Sequence, residues 1–179
     1  MSDRSTGEIW IGGKIKRELV PDLCEAIRAQ PMHLEWMGAQ FEPTTESQLL
    51  EAIDDLCGIK ALRLCNTDAN GGEFSELERF LQMNDLPYTR HSGGCRYYDG
   101  RKVFYRPGRE LVEVMTNVDG DSVIGRVEKV ERAWYLLKEA QYLLQTGKRA
   151  LAPISQAADL LADVLPPELP PLAPFEIAE

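Results

Sequence analysis

The spacing of apolar and polar residues along this chain changes several times, and each change predicts an element. Glu8-Ile-Trp-Ile-Gly-Gly-Lys-Ile15 is rich in β-branched and aromatic residues and predicts a first strand ending at a glycine pair. Between Lys16 and Ala29, Leu19, Val20, Leu23, Cys24 and Ile27 recur at helical spacing. Pro21 is tolerated only in a first turn, which puts the helix start near Val20. His33-Leu-Glu-Trp-Met37 predicts a second strand, extended toward Phe41. Thr45-Glu-Ser-Gln48 then has the spacing of a capping box, and Leu49, Leu50, Ile53, Leu56 and Cys57 predict one helix that stops at Gly58. The opposite face of that helix would hold Glu46, Glu51, Asp54 and Asp55.

Ala61-Leu-Arg-Leu-Cys65 predicts a third strand, Asn66 to Gly72 a loop, and Phe74, Leu77, Phe80 and Leu81 a third helix ending near Leu86-Pro87. Three strand–helix units in succession predict crossover connections and a partly parallel sheet. After Pro87 the pattern turns to strands. Tyr88 to Tyr105 has strand composition, with Asp99-Gly100 as a two-residue hairpin turn between Tyr97-Tyr98 and Phe104-Tyr105. Glu110 to Met115 predicts a further strand, and Asp119-Gly120 a turn before Ser122-Val-Ile124. Arg126 to Gln145 is the longest helix. Its stripe of Val127, Val130, Trp134, Leu137, Gln141 and Leu144 suits packing on a sheet, and Gly147 stops it. A second helix follows from about Ile154 to Leu165. Pro166 to Pro174 holds five of the eleven prolines and predicts an extended tail, either packed on the body or hanging free. The fold class is therefore α/β (α+β). It has a mixed sheet with three βα-type units, an antiparallel hairpin region and a C-terminal helical pair. One domain would span 1–165, helical from about 126, with a Pro-rich tail over 166–179.

Composition narrows the class. The chain is 44% hydrophobic and 27% charged, ordinary for a globular protein with a real core. No apolar run nears the ~20 residues of a membrane span, and the polar stretch Met1 to Glu8 has no apolar signal region, so a cytoplasmic location without a membrane partner is expected. Cys24, Cys57, Cys65 and Cys95 form no close pair and predict free thiols, the first three buried on apolar stripes or strands. No cofactor is predicted: Gly12-Gly13 and Gly71-Gly72 belong to no G-x-G-x-x-G or P-loop pattern and read as turns. His91 and Cys95 have the spacing of half a zinc site, but the other ligands would have to come from His33 and scattered cysteines, so no metal is predicted.

Charge singles out one segment. The chain carries a net −9, yet Tyr88 to Arg109 holds six Lys/Arg against Asp99 alone, with five aromatics. Arg and Tyr dominate binding energy at interfaces, so Arg90, Arg96, Tyr98, Arg101, Lys102, Tyr105 and Arg106 are candidate contacts. The acidic positions Glu46, Glu51, Asp54 and Asp55, with Glu73 to Glu78, form a second candidate surface. These features point to a non-enzymatic macromolecule-binding protein. One form of this reading is an acidic inhibitor, encoded by a phage or mobile element, that blocks a host defence or nucleic-acid-binding protein by imitating phosphates. An alternative is a single-stranded nucleic-acid binder that stacks bases on the Tyr/Arg hairpin. Another is an enzyme using Cys95 and His91. A protein partner is favoured over nucleic acid because the chain as a whole is acidic. The oligomeric state is left open.

Overall fold

A computed structural model describes residues 4–94, 99–117, 127–162, 164–165 and 168–179. The chain forms two compact units, Met1–Ser122 with Leu169–Glu179, and Val123–Glu168. The class is α+β, with a C-terminal helix pair.

The first unit is built on a six-stranded sheet. Its strands are β1 (Arg4–Ile11), β3 (Ile53–Leu56), β4 (Ile59–Asn70), β5 (Tyr88–Ser92), β6 (Gly100–Tyr105) and β7 (Val112–Thr116). Their order is β3-β4-β1-β5-β6-β7, and every neighbouring pair is antiparallel. Among the described residues, parallel pairing is confined to a separate ribbon of β2 (Gly13–Lys16) and β8 (Phe175–Ala178). The expected crossovers between parallel strands are thus replaced by antiparallel returns: β4, not a strand near His33, lies beside β1. His33 makes only isolated bridges to Cys65 and Gln40.

Three helices accompany the sheet, α1 (Val20–Arg28), α2 (Glu46–Glu51) and α3 (Ser75–Met83). Alternation on the strands sends Ile9, Ile11, Leu62, Leu64, Tyr88 and Val103 to one face, where they pack with Leu23 and Ile27 of α1 and Leu77 and Leu81 of α3. The Thr45/Gln48 capping box forms as its spacing predicts. The helix behind it stops at Glu51, not at Gly58. Ile53 to Leu56 instead pair with β4, and Cys57 (φ 54°) and Gly58 (φ 88°) make the two-residue turn. Positive φ at both central positions is the turn whose twist matches a β-hairpin, and the Asp55 carboxylate secures it by accepting from Gly58 N at 2.6 Å.

The predicted turn at Asp99-Gly100 does not form. Pairing runs from Tyr88↔Tyr105 to Ser92↔Arg101, and Gly100 already belongs to β6, opposite Thr116. The connection therefore spans 93–99, and Gly93 N donates to Thr6 O of β1 at 2.8 Å. Tyr97, Tyr98, Asp119-Gly120 and Ser122 to Ile124 lie outside the described residues.

The proline-rich segment returns to the first unit: Leu172 and Phe175 are buried, and Gly13 N donates to Ala173 O and Pro174 O. The second unit is a hairpin of α4 (Val127–Gln145) and α5 (Leu151–Ala162). Gly147 (φ 71°) ends α4 as expected, with Lys148 N donating to Leu143 O and Gly147 N to Leu144 O. Among the described residues the buried helix positions are small: Ala133 and Ala140 on α4, Pro153 and Ala157 on α5. The larger stripe of Val130, Trp134, Leu137 and Leu144 is exposed, so it is not the seam between the two helices.

Burial sorts the described thiols. Cys24 and Cys65 are buried and free, whereas Cys57, expected inside, is exposed in its turn. Desolvation raises the Cys24 and Cys65 thiols above their usual range, only partly offset by Arg28 and Arg63 respectively. Since the thiolate is the reactive form, maleimide at neutral pH should label Cys57 within minutes and Cys24 and Cys65 only after unfolding. Peptide mapping by mass spectrometry reads this directly; early labelling of Cys65 would contradict the buried placement. Among the described residues no helix is long and apolar enough to cross a membrane.

Candidate functional site

The second face of the sheet is where the sequence leaves unusual side chains. On β1, Ile9 and Ile11 point to the core, so Glu8 and Trp10 point the other way and are only half-buried. Register then fixes their neighbours. Trp10 pairs with Arg63 on one side and Thr89 on the other, and Thr89 pairs with Phe104. One step along, Glu8 pairs with His91, and His91 with Lys102. Cross-strand partners share a face. A block two residues deep and three strands wide results, and its side chains line a recess of ≈ 390 Å³, with Leu56 and Arg106 completing the walls. That size lies within the range of small-ligand sites.

Within the recess, Trp10 is held from behind. The Arg63 guanidinium lies over the indole at 5.5 Å, and its Nε donates to Glu8 Oε1 at 2.6 Å, with Asp54 at 3.7 Å. Burial works against the Arg63 charge, but the Glu8 hydrogen bond and charge more than offset it and hold the guanidinium above its usual range. Arg106 sits at one end and is buried, with 7% of its surface exposed. Its Nε donates to Pro170 O at 2.9 Å, Nη1 to Tyr88 O at 2.7 Å and Tyr105 O at 2.9 Å, and Nη2 to Thr89 Oγ1 at 3.1 Å. Among the described residues these partners are all neutral oxygens. Four of the five guanidinium donors are used, which leaves one N–H on Nη2, the atom beside Thr89. Burial pulls the Arg106 pKa below its ordinary range, though a guanidinium remains charged at neutral pH.

The basic segment named by its charge is therefore divided. Lys102 and Arg106 line the recess. Arg90 is in the core instead, ion-paired to Glu78 at 2.8 Å and hydrogen-bonded to Ser92 Oγ. Tyr105 lies on the core side, its ring stacked on Tyr88 at 5.6 Å and its hydroxyl between Gln82 O and Asp85. Arg101 is exposed on that same side and pairs with Glu113 at 3.3 Å. Arg96, Tyr98 and Cys95 lie outside the described residues, so the His91–Cys95 pair has no geometry to describe. Among the described residues no three His, Cys, Asp or Glu side chains converge as metal ligands.

The acidic surface is divided as well. Glu46 and Glu51 belong to α2, Asp54 and Asp55 to β3. Glu46 pairs with Arg17 at 3.0 Å and Asp55 with Lys60 at 3.6 Å. Glu78, counted with the acidic positions, is buried. A smaller hollow of ≈ 290 Å³ between α1 and α3 is edged by Asp22, Glu25 and Glu76 with Arg79, and Arg79 is already paired to Glu76.

Trp10, Phe104, Glu8 and Thr89 are the recess residues that charge and motif reasoning passes over. The signal for them is the outward phase of two strands, which becomes a site only through pairing across ninety residues of sequence. Comparison of the chain with protein-family models, with curated proteins and with solved structures gives no match, so the reading of this site rests on its own residues.

Proposed function

We propose that this chain is a non-enzymatic binding protein that receives a partner macromolecule at the recess on the second face of its six-stranded sheet. The observation that carries this reading is the register-aligned block of Glu8, Trp10, Thr89, His91, Lys102 and Phe104 around one recess. Here two large aromatic rings stand among charged groups, the combination that dominates binding energy at interfaces. The aromatic and basic character expected of the Tyr88–Arg109 segment supports the same reading, carried now by Phe104, Lys102 and Arg106 on one face. The acidic-inhibitor form has less support, because it needs carboxylates aligned on one surface and Glu46, Asp54 and Asp55 each hold a base.

Photo-cross-linking tests the face directly. A benzoylphenylalanine at position 104 should capture a partner in native cells, and Trp10→Ala should abolish the capture. The control is position 115, because Met115 pairs with Arg101 and so lies on the other face of the sheet, 52% exposed. Equal capture from both positions, or capture that survives Trp10→Ala with the fold intact, would overturn the proposal.

A further inference from the structure

We infer that the recess takes one nucleotide of a single-stranded nucleic acid, with the base between Trp10 and Phe104 and a phosphate against Arg106; this rests on the sheet-face reading above. Trp10 and Phe104 stand on strands separated by β5 alone, with Thr89 between them. Two strand spacings put their backbones about 9–10 Å apart, while a planar ring held between two others needs two contacts of ~3.5 Å each. Both rings line the one recess of ≈ 390 Å³. The Arg63 guanidinium already occupies the β4 side of Trp10, so the indole face toward Phe104 is the one offered to a ligand.

The ends of the slot differ in chemistry. At one end Arg106 is a buried cation whose described partners are neutral, with one Nη2 N–H beyond the bond to Thr89. Burying a charge is costly unless an opposite charge meets it, and a ligand phosphate would supply that charge. At the other end stand the Glu8 carboxylate, whose Oε1 accepts from Arg63, and the nitrogen groups of His91 and Lys102. A heteroaromatic base edge uses both, whereas a phenyl ring uses neither. Beyond Phe104 the surface continues over the half-buried Val112 and Val114 of β7, so a chain longer than one nucleotide has somewhere to lie. Bases stacked on aromatics with phosphates on cations are the usual mode of single-strand binding.

The test is calorimetric titration of the full chain with dT12, with thymidine monophosphate and with thymidine, at low salt. We expect dT12 to bind, thymidine to bind at least tenfold more weakly, and Trp10→Ala or Phe104→Ala each to weaken dT12 about tenfold or more. Phe104→Trp should retain binding, and circular dichroism checks each fold. Because each phosphate held by a cation releases condensed counterions, affinity should fall with salt, the log–log slope near −0.7 per phosphate engaged. No binding of dT12, binding of the monophosphate alone, or affinity unchanged in both alanine variants would overturn the inference. If position 104 cross-links a protein while dT12 fails, the sheet face stands as the binding face and the nucleotide assignment falls. If both experiments fail, both readings fall.

Discussion

Glu78→Ala is expected to lower the unfolding free energy by about 3–5 kcal/mol. Glu78 is the centre of a buried polar group beneath α3. Its Oε1 meets Arg90 Nε at 2.8 Å and accepts from Phe74 N at 2.9 Å, while Oε2 accepts from the Tyr88 hydroxyl at 3.0 Å. Gln82 Nε2 donates to the same hydroxyl at 2.7 Å. Removing the carboxylate leaves Arg90, 5% exposed, as a buried cation without its anion. The loss is therefore mostly the cost of the charge left behind, and not the strength of the pair itself. Urea unfolding of the single variant reads the loss. Replacing Arg90 with methionine as well should return much of it, because the double variant buries no unpaired charge; a double variant as unstable as the single one would refute this account. The same surroundings raise the Tyr88 pKa, through burial first and the Glu78 charge second. A phenol that holds its proton more tightly when folded stabilises fully below pH 10, the unfolded value, and that contribution is lost as pH climbs beyond it.

Local signals in the sequence were sufficient where the element is decided locally. The Thr45/Gln48 capping box, the Pro21 start of α1 and the Gly147 stop of α4 all depend on neighbours within four residues, and each is where its spacing puts it. Ile53 and Leu56 show the limit. Their spacing fits a helix and a strand equally, and the choice falls to β4, whose ladder supplies backbone partners that a continued helix would not need. Asp99-Gly100 fails for a related reason: its turn chemistry is sound, but Gly93 is drawn to β1 and Gly100 to β7, so the loop between β5 and β6 is longer.

The candidate site was legible only in part. Clustered charge drew attention to Tyr88–Arg109, and Lys102 and Arg106 do line the recess. Charge alone does not reveal which arginines face inward. Arg90 faces the core because Tyr88, Arg90 and Ser92 share one phase of β5, and the core side of that phase holds Glu78 to receive it. Trp10 and Phe104 reach one another only through two pairings that no local pattern encodes.

Gly12→Ala is expected to release the C-terminal strand, at a cost of roughly 3–6 kcal/mol, because a β-carbon there would lie 2.0 Å from Ala173 O and 2.9 Å from Leu172 Cγ. Neither neighbour yields easily. Ala173 O is a backbone atom that accepts from Gly13 N at 3.1 Å, and Leu172 is 4% exposed. The chain therefore chooses between straining β2 against β8 and letting the segment from about 169 leave. Leaving exposes Leu172 and Phe175, worth about 1.5–3 kcal/mol each when fully buried, and frees Arg106 Nε from Pro170 O. Partial compensation by tail entropy makes these upper values. A double-variant cycle separates strain from release. If the tail leaves, removing 169–179 from the Gly12→Ala chain should cost little beyond the substitution, so the two changes are far from additive. Limited proteolysis should then trim the tail of the Gly12→Ala chain while the unsubstituted chain resists. Additive losses with a protease-resistant tail would show that β8 stays docked and that the strain is carried by β2.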